Sequence, residues 1–65
     1  MNRLRELRKE RGLTQKELGS EVKVPSTTLA RYEVGMRSPV LPYLIALADY
    51  FNVSIDYLVG RSDVR

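Results

Sequence analysis

The sequence predicts an all-α fold, a compact five-helix bundle, and three observations carry that expectation. No segment alternates apolar and polar residues at period two over several positions. Apolar residues recur instead at i, i+3 and i+4 spacing, in short stretches closed by Gly, Pro or Asn. The length of 65 residues, with 43% hydrophobic and 29% charged side chains, suits one small globular domain and excludes a multidomain enzyme or a disordered tail.

The first helix is expected around Leu4 and Leu7, which share a face, with Gly12 as its stop. Arg8, Lys9 and Arg11 fall in its last turns, where cations favour the helix dipole. The second begins after Thr14, because Thr14-Gln15-Lys16-Glu17 has the pattern of a capping box. Leu18 and Val22 follow one turn apart, and Pro25 ends the segment near Lys23-Val24. The third starts at Pro25 or Ser26, buries Leu29 and Tyr32, and stops at Gly35. The fourth starts near Leu41 and places Leu44, Ile45, Ala48 and Phe51 on its apolar face, with Asn52 closing it. Ser54 caps a short fifth helix that runs through Leu58 to Gly60. Residues 1–60 are therefore expected to form a single domain, and residues 61–65 a short polar tail that frays.

Composition removes several functions. There is no Cys and no His, which excludes disulfides, the usual zinc ligands, nucleophilic triads and the usual neutral-pH base. No enzyme constellation stands out, and neither a cofactor nor a metal is expected. No apolar run approaches the roughly 20 residues that span a bilayer, and the start is charged, so the expected location is the cytoplasm. The net charge of +3 is uneven: residues 1–23 hold 7 basic and 4 acidic side chains, whereas residues 38–65 hold 2 and 3. Such asymmetry suits a polyanion at one end and a partner at the other, although a mixed solvated surface would show the same counts.

The informative pair of elements is at about residues 14–34. Two helices of about eight residues joined by a three- or four-residue turn form a helix-turn-helix, whose second helix can enter the DNA major groove. A reading helix needs short polar groups in its first turn. Ser26, Thr27 and Thr28 supply them, and Arg31 adds a longer donor one turn on. Hydroxyls also favour helix N-termini for capping alone, which is the plainer explanation of the same residues.

These residues resemble the lambda-repressor-like, Cro/XRE-type helix-turn-helix domains. The resemblance rests on Leu4-Arg5-Glu6-Leu7-Arg8, on Gly12-Leu13-Thr14-Gln15-Lys16-Glu17-Leu18, and on Arg31-Tyr32-Glu33 before Gly35 and Pro39. It continues through Leu47-Ala48-Asp49-Tyr50-Phe51-Asn52-Val53-Ser54-Ile55-Asp56-Tyr57-Leu58 and covers essentially the whole chain. It implies that Ser26, Thr27 and Arg31 read base edges in double-stranded DNA. Thr14, Gln15, Thr28 and Arg37 would contact its backbone, and Arg8 and Glu33 would form a structural salt bridge. The chain departs from the family pattern at Gly19, Lys23, Pro25, Val34 and Met36. Gly19 suits a close helix crossing, Lys23 would adopt a left-handed conformation, and Val34 and Met36 offer no polar contact.

The function so implied is a sequence-specific transcriptional regulator, most simply a homodimeric repressor at a palindromic operator. Tyr57 and Val59 are the candidate dimer contacts. No small-molecule ligand is expected, because no sensing domain follows the fifth helix in these 65 residues. The alternative is a protein-interaction module, antitoxin-like or an adaptor, whose basic face is incidental.

Overall fold

A computed structural model describes residues 3–36 and 39–65. Five helices follow in order: α1 (Arg3–Glu10), α2 (Gln15–Val22), α3 (Ser26–Glu33), α4 (Leu41–Phe51) and α5 (Ile55–Leu58). No strand occurs among the described residues.

Local chemistry explains the boundaries. Thr14 caps α2 by accepting from the Glu17 amide at 3.1 Å, and Glu17 accepts from the Thr14 amide at 2.9 Å. Together these bonds satisfy two donors that a helix start would leave open. Ser54 caps α5 in the same manner, accepting from the Tyr57 amide at 3.0 Å. α4 ends on Asn52, whose φ of 56° and ψ of 47° turn the chain left-handed. Asparagine tolerates that region better than most side chains.

The core gathers residues from every helix: Leu4, Leu7, Leu18, Val24, Leu29, Tyr32, Leu47, Ala48, Phe51, Tyr57 and Leu58. α1 packs on α3 and α5, α2 on α3 and α4, and α4 on α5. The helix-turn-helix is thus held by α1 and α4, which α5 joins to each other. Val22 lies at the margin of this core, half-buried.

Two expectations differ from the structure. Ile45 faces outward at 45% exposure, while Leu47, Ala48 and Phe51 are buried and Leu44 is half-buried. At 3.6 residues per turn, Ile45 lies about 110° from the centre of that buried face, too far round α4 for any neighbour to cover. Nor does the C-terminal segment fray: the Arg65 carbonyl accepts from the Ser54 amide at 3.2 Å, and its guanidinium pairs with Glu10 at 2.6 Å. Arg3 donates to the Ser62 carbonyl at 2.6 Å, so both ends of the described chain meet beside α5.

Candidate nucleic-acid interface

The turn between α2 and α3 sets the geometry. Lys23 sits at φ 59° and ψ 42°, left-handed, and its amide bonds back to the Gly19 carbonyl. The Val24 amide also donates to Gly19, at 3.1 Å. A Cβ at position 19 would stand 2.6 Å from the Val24 carbonyl oxygen. Only glycine lets the turn lie so close on α2, and that approach sets how α3 leaves it. Leu18, Val24 and Leu29 fill the space between the two helices and are at most 2% exposed.

α3 begins at Ser26, which settles the two starts that the sequence left open. Pro25 precedes it without a side-chain cap, and its carbonyl accepts from the Thr28 and Leu29 amides at 3.0 and 3.1 Å. The amides of Ser26 and Thr27 belong to the opening turn, where a helix provides no internal acceptor. Leu29 and Tyr32 are buried, whereas Thr27 and Arg31 are exposed one turn apart on the opposite side. Ser26 and Thr28 are half-buried. Residues 27 and 31 therefore form the outward polar stripe of α3.

A charged cluster fastens α1, α2 and α3 together. The Arg8 guanidinium donates to Glu33 through Nε at 2.7 Å and Nη2 at 3.1 Å, and to the Leu13 carbonyl through Nη1 at 2.7 Å. The Arg8 side chain is 13% exposed and that of Glu33 3%. The hydrogen bonds from Arg8 to Glu33 raise the guanidinium's pKa, opposed by burial and reinforced by the carboxylate's charge. Gln15 joins the cluster, with Nε2 donating to Glu33 Oε1 at 3.2 Å.

Of the expected backbone contacts, Thr14 and Gln15 flank the start of α2, and Thr28 stands in the first turn of α3. The Thr14 hydroxyl oxygen accepts from the Glu17 amide within the capping box. The Gln15 amide uses one hydrogen on Glu33 and retains the other. Arg37 lies outside the described residues. Tyr57, expected at a dimer contact, is 9% exposed and closed over by Arg3, whose guanidinium carbon is 4.1 Å from the ring centroid. Arg65 covers it from 5.2 Å. Its ring is thus occupied within the monomer, and Val59 beside it is half-buried.

Sequence reasoning passed over one feature. Lys16, Ser20 and Lys23 border an open cleft of about 360 Å³ at the elbow, completed by Gly19, Val24, Pro25 and Ser26. The spacing of Lys16, Ser20 and Lys23, at i, i+4 and i+7, was the signal for a common face.

With this geometry in place, comparison with known proteins is decisive: residues 4–58 match the Helix-turn-helix family. The chain belongs to that family. It is 39% identical over 62 residues to the HTH-type transcriptional regulator ImmR of Bacillus subtilis, covering 95% of this chain and 49% of ImmR. It is also 38% identical over 61 residues to the regulator AnsR of the same organism, covering 94% and 53%. A third relative is the cryptic phage CTXphi transcriptional repressor RstR of Vibrio cholerae, 37% identical over 64 residues, covering 98% and 58%. The chain therefore spans about half the length of these relatives. Its architecture, five helices among the described residues with α2 and α3 as a central helix-turn-helix, is the lambda-repressor-like all-α fold. No helix among the described residues is long and apolar enough to cross a membrane.

Proposed function

We propose that the chain binds double-stranded DNA in a sequence-specific way and acts as a transcriptional regulator, most simply a repressor. The observation that carries this is the exposed Thr27–Arg31 stripe on α3, presented by an elbow too tight for any side chain at position 19. A single helix of this width enters the major groove, where Thr27 and Arg31, with Ser26 at the helix start, meet base edges. The N-terminus of α2, with Thr14 and Gln15, then faces the sugar-phosphate backbone, and Thr28 and Arg37 add backbone contacts. Lys16 and Lys23 extend the positive surface past the elbow. The relatives named as regulators and as a repressor support the same assignment.

In this proposal two copies bind a palindrome through paired half-sites, since one reading helix covers only a few base pairs. The work is binding, with no catalytic step, and takes place in the cytoplasm at the nucleoid. Selection of duplexes from a random pool, followed by titration of the winner at several salt concentrations, tests it. A palindromic winner preferred over random DNA by about 10³-fold or more is expected, with affinity falling steeply as salt rises. Alanine at Thr27 or Arg31 should relax base preference, at about 1–3 kcal/mol per lost contact, whereas Lys23→Ala should weaken all sequences alike. A pool that enriches no sequence would defeat the proposal and leave the protein-interaction module as the use of this fold.

A further inference from the structure

Residues 61–65 are bound to both ends of α1 and to α5. Arg3, at the start of α1, donates to the Ser62 carbonyl at 2.6 Å and pairs with Asp63. Glu10, at its end, accepts from Arg65 through both carboxylate oxygens, at 3.1 and 2.6 Å. Neither charge suits its place, since the helix dipole favours acidic groups at a helix start and basic ones at its end. Arg3 and Glu10 stand the other way round, so their partners in residues 61–65 account for them where the helix itself does not. Arg65 also reaches α5 through its backbone, the carbonyl accepting from the Ser54 amide at 3.2 Å. Both guanidinium groups lie against the Tyr57 ring, at 4.1 and 5.2 Å from its centroid. With four residues, α5 is far shorter than a helix that stands alone, and these contacts hold it in place.

We infer that residues 61–65 are an ionic latch between α1 and α5, which opens as one unit when salt screens its pairs while the helix-turn-helix stays closed. The contacts favour a single step over residue-by-residue fraying. Arg65 makes the Glu10 pair, the Ser54 hydrogen bond and a ring contact together, and Arg3 joins Ser62, Asp63 and Tyr57 in the same way. Exposure makes the step an easy one. Ser62 is half-buried and the other four residues are exposed, so none enters the core. The Glu10 and Arg65 side chains are 49% and 52% exposed, and that of Asp63 96%. Ion pairs so open to water contribute little each and weaken as salt rises. Segments with few buried contacts are the ones that open below global unfolding. The helix-turn-helix is held by other groups, namely Leu18, Val24 and Leu29 in the core and the largely buried Arg8–Glu33 pair. Opening therefore uncovers Tyr57 and frees both ends of α1 while α3 keeps its place.

Native-state hydrogen exchange of the whole chain tests this. The Ser54 amide reports the latch, and the Leu18 and Val24 amides, bonded to the Thr14 and Gly19 carbonyls, report the helix-turn-helix. At low salt Ser54 should be protected, yet exchange at least about tenfold faster than the other two. Raising NaCl to about 0.5 M should speed Ser54 severalfold and leave Leu18 and Val24 unchanged. Glu10→Gln, Asp63→Asn and Arg65→Gln should each speed Ser54 roughly two- to fivefold. Glu10→Gln discriminates most sharply, because removing an acidic charge from the end of α1 by itself steadies that helix. Faster exchange at Ser54 in that variant then has to come from the lost pair. Asp63→Asn leaves the fold intact, since the side chain stands in water. A wild-type Ser54 amide that exchanges at the unprotected rate overturns the inference, because the latch would not be closed. So does a Ser54 amide that follows Leu18 and Val24 in every condition, or one indifferent to salt and to all three variants.

Discussion

Replacing Glu33 with glutamine should remove a large part of the domain's stability. The wild-type carboxylate is 3% exposed and accepts three hydrogen bonds, two from Arg8 and one from Gln15. Glutamine keeps the size but has one accepting oxygen, so its amide must face a donor on Arg8 or Gln15. The Arg8 guanidinium, 13% exposed, then loses its counter-charge while remaining largely out of water. Breaking one side of a buried pair costs about 3–5 kcal/mol. A domain of this length has about 3–10 kcal/mol in total, so Glu33→Gln should remove from about a third of the stability to all of it. Urea unfolding followed by circular dichroism measures the loss. The double variant Arg8→Met with Glu33→Met should recover much of it, because the buried charge is gone. Recovery should stay incomplete, since the Leu13 carbonyl loses the Arg8 donor and Gln15 its acceptor. A loss below about 1 kcal/mol, the value of an exposed pair, would show that water reaches Arg8 and would refute this account.

Three further outcomes follow from the turn and the cap. Lys23→Gly should stabilise by about 1 kcal/mol, because glycine accepts the left-handed conformation without a Cβ conflict, raising Tm by several degrees; an unchanged Tm in calorimetry would mean Lys23 bears no strain. Gly19→Ala should destabilise the domain despite a gain of about 1 kcal/mol in helix propensity, since the new Cβ meets the Val24 carbonyl oxygen at 2.6 Å; urea midpoints at or above wild type would show that the turn can shift freely. The backbone hydrogen bond from Thr14, with its side chain second, holds the Glu17 carboxyl below its ordinary pKa. That contribution is present above the ordinary carboxylate pKa and is lost as pH falls through the lowered one, so an NMR titration should find a depressed midpoint. Thr14→Ala should move the midpoint part of the way back and cost about 1 kcal/mol of cap stability.

Most helix boundaries were legible because their causes are local. The capping box at Thr14, the serine cap at Ser54 and the stops at Gly12, Gly35 and Asn52 act through residues within about four positions of one another. Such short-range geometry is written in consecutive residues. The left-handed Lys23 was visible only through the family resemblance, whose turn ordinarily takes glycine at that place. The start of α3 was open by one residue, because Pro25 suits either a cap or a first turn.

Which side of each helix is covered was not local, and there the sequence was a poorer guide. Ile45 has the spacing of a core residue yet points to solvent, because no helix packs on that side of α4. Tyr57 has the composition of an interface residue yet lies beneath Arg3 and Arg65, which come from opposite ends of the chain. The role of Gln15 likewise depends on Glu33, 18 positions away, and the elbow cleft forms only when Ser26 is set beside Lys16 and Ser20. The sequence by itself determined the all-α class, the order of the helices and the polar character of α3, since periodicity and capping are properties of neighbouring residues. Only the tertiary structure decided which apolar residues enter the core and which stay exposed, because burial depends on what another part of the chain lays against each face.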